Sequence, residues 1–207
     1  MFNMDKQKER FKDHIATFTD LGNIKIVDFK KPDSCDYRIR FLFEEDYCRL
    51  HITGDIGDLI ASNYNNMTYE KFGDFVNNPS YFKGKIDCTS RELYEWDSDY
   101  AYEDLRNMIE DYDARDAIIA TKTEWDADTD DDDYINKYIE DLIEDYGEHG
   151  LSQRAVEKVQ DDHVYYDFWE IAGSIGRRDT GIVDLYMMAF RLAKKQIDER
   201  MCADENR

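Results

Sequence analysis

The sequence predicts an α+β fold, in which an N-terminal helix and an antiparallel β-meander of about four strands precede a mostly helical, acidic C-terminal half. Apolar residues alternate with polar ones between residues 24 and 64, as they do in strands with one buried face. From residue 97 onward, apolar residues recur every three or four positions, which is typical of amphipathic helices. Aromatic residues make up 14% of the 207 residues, and this favours a folded core over disorder.

The predicted N-terminal helix extends from Met4 to Phe18. Phe11, Ile15 and Phe18 are spaced so that they would share one face of a helix. Gly22 follows them, and glycine is a common stop signal just after a helix.

Four short runs after Gly22 have the residue pattern of β-strands. In the second run, Ile39, Phe41 and Phe43 alternate with Arg38, Arg40 and Leu42. The connections between the runs are short and rich in turn residues, which favours antiparallel pairing of neighbours. The runs are Ile24–Phe29, Tyr37–Phe43, Tyr47–Ile52 and Asp58–Tyr64.

Two acidic helices dominate the predicted C-terminal half, one from about Asp97 to Tyr112 and one from about Asp132 to Tyr146. Each has an apolar stripe that is expected to pack against a core. The last helix ends near Met201 and is apolar around most of its circumference, so it is predicted to be a central core helix. The expected organisation is a sheet subdomain at 1–96 and an acidic helical subdomain at 97–207, which together form one compact unit.

The negative charge is concentrated in one stretch. The formal net charge is −21, and residues 92–148 contain 22 acidic residues but only 4 basic ones. Such a field repels nucleic acid and anionic membranes and attracts basic protein surfaces. We therefore expect a basic protein surface as the partner, with no direct nucleic-acid or membrane partner. The carboxylates expected to make the contact are Glu103, Asp104, Glu110, Asp111, Glu140, Asp141, Glu144 and Asp145.

A surface that only aids solubility is the main alternative for this stretch, because net negative charge helps solubility without any partner. The concentration of charge on two helices favours a binding role. Like charges four residues apart weaken a helix, so packing of the apolar stripes must overcome that cost. Tyrosines among the acids, such as Tyr100 and Tyr112, would supply amphipathic anchors for an interface.

A metal-dependent hydrolase is a second function class. His163 and Asp167 are four residues apart, with Glu170 beyond them, and on one helix the first two would share a face that could hold a metal. A solvated polar face gives the same pattern. The segment 126–133 begins like a calcium loop, but its sixth and twelfth positions lack the required glycine and glutamate. No metal ligand set and no cofactor are assigned.

Three arginines could form a small anion-binding patch. Arg38, Arg40 and Arg49 lie on neighbouring predicted strands and would project near one another. The alternative is that they pair across the strands with the acidic turn of Glu44, Glu45 and Asp46.

No phosphate-binding loop, nucleophile elbow or HExxH motif occurs in the sequence. Catalytic residues are therefore not assigned, and a protein without enzymatic activity is favoured. The four cysteines form no CxxC pair, the N-terminus has no apolar secretion segment, and no run of about 18 apolar residues occurs. The expected location is the cytoplasm. A homodimer stays open, because the last helix and the segment around Trp169 are strongly apolar.

Residues 37–76, YRIRFLFEEDYCRLHITGDIGDLIASNYNNMTYEKFGDFV, resemble small uncharacterised proteins of bacterial phages and mobile elements. In size and acidic composition the whole chain also resembles the anti-CRISPR and anti-restriction inhibitors that such elements carry. Several of those families occupy the nucleic-acid site of a nuclease with carboxylates. The resemblance implies an inhibitor of a host defence nuclease, whereas the residues alone leave a hydrolase and a non-enzymatic adaptor or immunity-type protein open. It rests on no defining motif and assigns no functional residue.

Overall fold

The computed structural model describes residues 4–205, and their contacts divide the chain into two units. The sheet unit consists of the chain up to Leu93 and from Thr180 onward, and the helical unit is Tyr94–Asp179. The α+β class is confirmed, with a sheet in the N-terminal half and helices in the C-terminal half. The units differ from the predicted subdomains 1–96 and 97–207, because the last helix groups with the sheet rather than with the acidic helices.

Six strands form one antiparallel meander in the sheet unit, and each strand pairs with its neighbour in sequence. Antiparallel neighbours need only a tight connection, which the short turns supply. The four predicted runs are all present as strands, and one further strand lies on either side of them. The strands are β1 (Ile15–Asp20), β2 (Ile24–Lys30), β3 (Ile39–Glu44), β4 (Arg49–Gly54), β5 (Leu59–Ser62) and β6 (Ile86–Thr89).

The predicted N-terminal helix is wrong beyond Arg10. Helix α1 extends only from Met4 to Arg10, and the chain then enters β1. Gly22 lies in the tight turn between β1 and β2, where its φ of +82° is one that glycine adopts without strain. Residues three apart in a strand point to opposite faces. Ile15 is accordingly exposed, while Phe18 stacks on Tyr69 at a centroid distance of 4.4 Å.

One long helix, α9 (Ile182–Glu205), packs on the sheet and forms the core of this unit with it. The prediction of a central core helix is confirmed, since most of the side chains from Val183 to Ile197 are buried. Neither α9 nor any other helix within residues 4–205 is long and apolar enough to span a membrane. Two short helices, α2 (Gly73–Val76) and α3 (Pro79–Lys83), complete the unit.

Helix α9 also covers the backbone of β1 at the edge of the sheet. The Gln196 side chain donates to the His14 carbonyl at 2.8 Å and accepts from the Ala16 amide at 3.0 Å. Arg200 donates to the Ala16 carbonyl. Because these edge groups already have partners, they cannot pair with a strand of another chain.

Stability of the sheet unit is expected to fall as the pH drops below about 6.5, the ordinary pKa of histidine. His14 is buried beside the rings of Phe11 and Phe29, and burial lowers its pKa below that value. Hydrogen bonding to the backbone at Tyr37, whose carbonyl lies 3.1 Å from Nε2, and at Asp36 opposes this shift. The charge of Lys31 lowers the pKa slightly further, and that of Asp13 raises it. The unfolded chain therefore takes up a proton first, and folding loses free energy as the pH falls toward the folded-state pKa.

Urea midpoints of the sheet unit at pH 7.5 and 5.5 measure this effect in the wild type and in His14→Gln. Glutamine keeps a donor for the Tyr37 carbonyl but does not titrate. We expect the wild type to lose more stability than the variant between the two pH values. An equal loss in both proteins would show that His14 does not cause the pH dependence.

The helical unit has its own hydrophobic core, formed by the inward faces of its helices. The two predicted acidic helices are present with ends shifted by a few residues, and Asp97 caps the first of them. The helices are α4 (Ser98–Asp111), α5 (Arg115–Ala120), α6 (Asp131–Ile143), α7 (Gln153–Asp161) and α8 (Phe168–Ala172).

Two short strands bring the ends of the helical unit together. Strand β7 (Tyr94–Trp96) pairs antiparallel with β8 (Arg177–Asp179). Gly176 precedes β8 with a φ of +71°, and a Cβ at this position would lie only 2.1 Å from the Tyr146 hydroxyl oxygen. Only glycine fits here, because any side chain would require the Tyr146 ring or the backbone to move.

Candidate protein-binding surface

Nearly all of the excess negative charge belongs to the helical unit. Residues 94–179 contain 27 acidic and 8 basic residues, a net charge of −19, whereas the rest of the chain has 21 acidic and 19 basic residues. The difference in net charge therefore follows the division of the chain into the helical unit and the sheet unit. A surface that attracts a basic partner is therefore expected on the helical unit.

Helix α4 has an inward apolar face and an outward acidic face. Ala101, Leu105, Met108 and Ile109 are buried. Positions four, eight and eleven residues after Asp99 fall on the opposite side of the helix, and these are Glu103, Asn107 and Glu110. Their side chains are exposed, as is that of Asp111 at the end of the helix. Among the described residues, Glu103, Glu110 and Asp111 make no ion pair.

Helix α6 has the same division between an apolar and an acidic face. Ile135, Ile139 and Leu142 are buried as predicted, while Glu140 is exposed and forms no ion pair with any residue that the structure describes. The first turn carries three aspartates, where negative charge is favourable because the amide dipoles point toward it. The α4 and α6 helices contact each other, and the Tyr102 hydroxyl donates to the Asn136 side chain at 2.8 Å.

Asp104 does not belong to the outward surface, contrary to the prediction. Its two oxygens accept hydrogen bonds of 2.8 Å from the two terminal nitrogens of Arg178, and the Gly176 amide donates to it at 2.8 Å. Partial burial works to raise the pKa of Asp104, but the hydrogen bonds from Arg178 and Gly176 outweigh it, so the pKa is lowered. Asp104 therefore holds α4 to the segment that enters β8.

Three further predicted contact residues surround one arginine. Arg154 on α7 lies 3.0 Å from Asp141, 3.3 Å from Asp145 and 3.5 Å from Glu144. These carboxylates are already partly neutralised, so they are less available to a partner than the prediction assumed. The structure leaves four of the eight predicted residues free on the outward faces, and we call Glu103, Glu110, Asp111 and Glu140 the acidic surface.

Every basic residue of the helical unit has a partner within the same unit. Arg115, Lys122 and Lys137 bind aspartates at 2.6, 2.7 and 2.8 Å. Arg106 donates to Asn136, Lys158 pairs with Asp162, and Arg177 lies over the Tyr94 ring. With its cations engaged internally, the unit presents most of its remaining carboxylates to solvent without a compensating charge.

Four of the six aspartates of the segment 126–133 bind basic or backbone groups of the helical unit. Asp126 binds Lys137 and Thr123, which lower its pKa to about 2. Asp130 caps α6, and Asp131 and Asp132 pair with Lys122 and Arg115. Within residues 4–205, no three His, Cys, Asp or Glu side chains converge as a metal site.

The helix face predicted for a metal-dependent hydrolase is absent from the described chain. Helix α7 ends at Asp161, and His163 follows it with a φ of +55°. Asp167 stands before the first residue of α8. His163 and Asp167 lie in the connection between two helices, so their spacing of four residues does not place them on one face.

The acidic turn predicted to pair with the sheet arginines does not do so. Arg38 binds Asp55 at 3.0 Å, and Arg40 binds Asp28 at 2.7 Å. Glu44 and Glu45 have other partners: His51 lies 2.9 Å from Glu44, and Glu45 accepts from the Tyr69 amide at 3.1 Å. Arg49 faces Glu44 in the strand register but forms no ion pair or hydrogen bond among the described residues.

The exposed aromatic residues of the helical unit are partly different from those expected. Tyr134 and Tyr138 are buried, whereas Trp125 is 90% exposed and Trp169 is 61% exposed. Trp125 lies between two acidic residues in the sequence, and this pattern could have predicted that its side chain is exposed. Exposed tryptophans on a unit rich in carboxylates have the composition of a protein-binding surface.

No family model, no curated protein and no solved structure matches this chain. The resemblance of residues 37–76 to phage and mobile-element proteins therefore stays a prediction. No functional residue comes to this chain from a relative.

Proposed function

We propose that this protein is an inhibitor that binds, through the helical unit, a basic nucleic-acid-binding surface of a host defence nuclease. The net charge of −19 on the 86 residues of the helical unit, compared with −2 on the sheet unit, carries the proposal. A protein that needed charge only for solubility would gain as much from acids spread over both units. The resemblance to acidic anti-CRISPR and anti-restriction inhibitors agrees with this division of charge.

The outward face of α4 carries fewer negative charges per unit length than a nucleic-acid strand. Asp99 and Glu110 are eleven residues apart, which is about 17 Å along the helix. One DNA strand places about five phosphates over that length, whereas α4 places three carboxylates there. A single helix is therefore too sparse, and the Glu140 side of α6 must add to the field.

Binding of this kind is electrostatic competition for a site that nucleic acid would otherwise occupy. Exposed charges interact over about 8 Å at physiological ionic strength, so added salt weakens the attraction and slows association. Trp125 and Trp169, which are both exposed on the helical unit, would add apolar contact area. We therefore expect affinity to fall steeply with salt but not to vanish.

Inhibition of DNA cleavage tests the proposal, with an RNA-guided nuclease and a restriction endonuclease as targets. The wild-type chain is compared with a variant in which the four residues of the acidic surface are changed to lysine. Inhibition by the wild type should weaken as salt rises, and the variant should lose at least about tenfold in potency. The four residues are exposed and unpaired, so the variant should keep its thermal midpoint to within a few degrees.

The matched control reverses four exposed carboxylates of the sheet unit, Asp36, Asp46, Asp74 and Glu92. It changes the net charge by the same amount but leaves the helical unit intact, and it should inhibit like the wild type. Equal losses in both variants would show that only total charge matters. Binding to a basic protein without inhibition of any nuclease would favour an adaptor and contradict the proposal.

A further inference from the structure

A second candidate site lies in the sheet unit, at the end of the sheet where β4 begins and β5 ends. It is a pocket of about 350 Å³, which falls within the range typical of small-molecule sites. We call it the tyrosine pocket, and it is lined by Tyr47, Arg49, Ser62, Asn63, Tyr64 and Lys85. None of these residues belongs to the acidic surface.

Arg49 is the unpaired cation of this pocket. Every other arginine within residues 4–205 has a partner in the structure, such as a carboxylate, a carbonyl oxygen or an aromatic ring. Arg49 has none: Glu44, which is opposite it in the register, lies 2.9 Å from His51 instead. A free guanidinium presents a planar set of donors that matches a phosphate.

Lys85 adds a second positive charge to the tyrosine pocket. Its ammonium lies 4.7 Å from the centre of the Tyr81 ring and forms no ion pair with the described residues. One carboxylate that touches the lining is Asp87, which accepts from the Ser62 hydroxyl at 3.2 Å. Neither Arg49 nor Lys85 forms a salt bridge with the described residues, although acids exceed bases in this chain.

Two tyrosines give the pocket aromatic surfaces. Tyr47 is 71% exposed and Tyr64 is 92% exposed, although large aromatic side chains are normally covered. Neither ring stacks on another aromatic residue of the described chain. Exposed rings beside cations are the combination with which proteins stack a nucleobase and hold its phosphate.

The backbone beneath the tyrosine pocket is held in one conformation. Cys48 has a φ of +52°, which is unusual for a residue other than glycine. The Asn63 amide donates to the Cys48 carbonyl at 3.1 Å, and the Cys48 thiol lies 3.6 Å from the Tyr64 carbonyl oxygen. These contacts join the turn that carries Tyr47 to the segment that carries Tyr64, so the backbone positions of both residues are fixed relative to each other.

We propose that the tyrosine pocket binds a nucleoside phosphate, with the base against Tyr47 and Tyr64 and the phosphate against Arg49 and Lys85. The same chemistry is present in a free nucleotide and at the end of a nucleic-acid strand. Because the chain carries a net charge of −21, a long strand is repelled, and the free nucleotide is the expected ligand. This binding is separate from the proposed inhibition, since the two sites lie in different units.

Calorimetric titration of the full chain with adenosine monophosphate, inorganic phosphate and a short single-stranded oligonucleotide tests the proposal. We expect saturable binding of the nucleotide, and weaker binding of inorganic phosphate. Arg49→Gln and Tyr64→Ala should each weaken nucleotide binding about tenfold. Both residues are exposed, and unchanged circular dichroism would show that the variants still fold.

Two controls match these variants in residue type and exposure. Arg40→Gln removes an arginine of the neighbouring strand that is already paired with Asp28, and Tyr166→Ala removes a tyrosine that is 87% exposed in the helical unit. Neither should change nucleotide binding. No saturable binding, equal affinity for inorganic phosphate, or equal losses in the controls would overturn the proposal. An oligonucleotide that binds more tightly than the nucleotide, and loses affinity with Arg49→Gln, would support the pocket and identify a strand as the source of the phosphate.

Discussion

Replacing Phe190 with alanine is expected to lower the free energy of unfolding of the sheet unit by about 3–5 kcal/mol. Phe190 on α9 is 1% exposed, and its ring packs edge-on against Phe41 and Phe72 at centroid distances of 5.3 and 4.9 Å. Phe43 and Tyr69 complete the surroundings of the ring. Truncation removes the apolar contacts and leaves a cavity that these large rings cannot easily fill.

Denaturation followed separately in the two units measures this loss. All three tryptophans, Trp96, Trp125 and Trp169, belong to the helical unit, so tryptophan fluorescence reports on that unit alone. Amide hydrogen exchange of the strands reports on the sheet unit. Leu21→Ala, at a residue that is exposed, is the control and should change stability by less than about 0.5 kcal/mol. A loss below about 1 kcal/mol with Phe190→Ala would mean that this cluster is not the centre of the core.

Replacing Arg178 with methionine is expected to destabilise the helical unit by about 1–3 kcal/mol. The change removes two hydrogen bonds to Asp104 and leaves a partly buried carboxylate with only the Gly176 amide. The expected loss is below that for a fully buried pair, because Arg178 and Asp104 are 33% and 27% exposed at their side chains. Tryptophan fluorescence during urea denaturation measures it.

A double variant separates the effect of the lost hydrogen bonds from the effect of the unpaired Asp104 carboxylate. Asp104→Asn in the Arg178→Met background removes the uncompensated carboxylate and should recover part of the stability. Because the pKa of Asp104 is lowered in the folded state, the contribution of the pair is present above about pH 4 and is lost as the pH falls through the folded-state pKa. Arg178→Met should therefore unfold with a weaker acid dependence than the wild type. Identical acid profiles would show that the pair does not stabilise the unit.

The sequence was a good guide to the sheet where strands follow one another through tight turns. In β3 and β4 the alternation of buried and exposed residues is nearly complete, so the period of two is visible. In β1 the period of two is hidden, because Phe11, Ile15 and Phe18 also fit the period of a helix. The segment Ile15–Thr19 is rich in β-branched and aromatic residues, and this signal of strand propensity could have decided between the two. The short edge strand β6 has two half-buried residues at its ends and two exposed ones between them, so it offers no alternating pattern to detect.

The candidate surface could be predicted only where position on a helix decides exposure. Glu103, Glu110 and Glu140 are on the faces opposite their apolar stripes, as their spacing indicated. Asp104 could not be assigned from spacing, because the arginine that binds it is 74 residues away in the sequence. Spacing also could not show that Glu44, the register partner of Arg49, lies against His51 rather than pairing with Arg49. Local periodicity gives the direction of a side chain but not the partner that it meets.

The pairing of β7 with β8 allows the helical unit to vary in evolution separately from the rest of the chain. The helical unit is an insertion in the chain of the sheet unit, and its first and last residues, Tyr94 and Asp179, are cross-strand partners. Leu93 and Thr180, which precede and follow it, are themselves joined by a hydrogen bond of 3.1 Å. A segment whose ends meet in this way can be exchanged for another of different sequence without altering the path of the host chain. The charged module can therefore diversify, or be replaced by recombination, while the β-meander of the sheet unit keeps its own core and its own pocket.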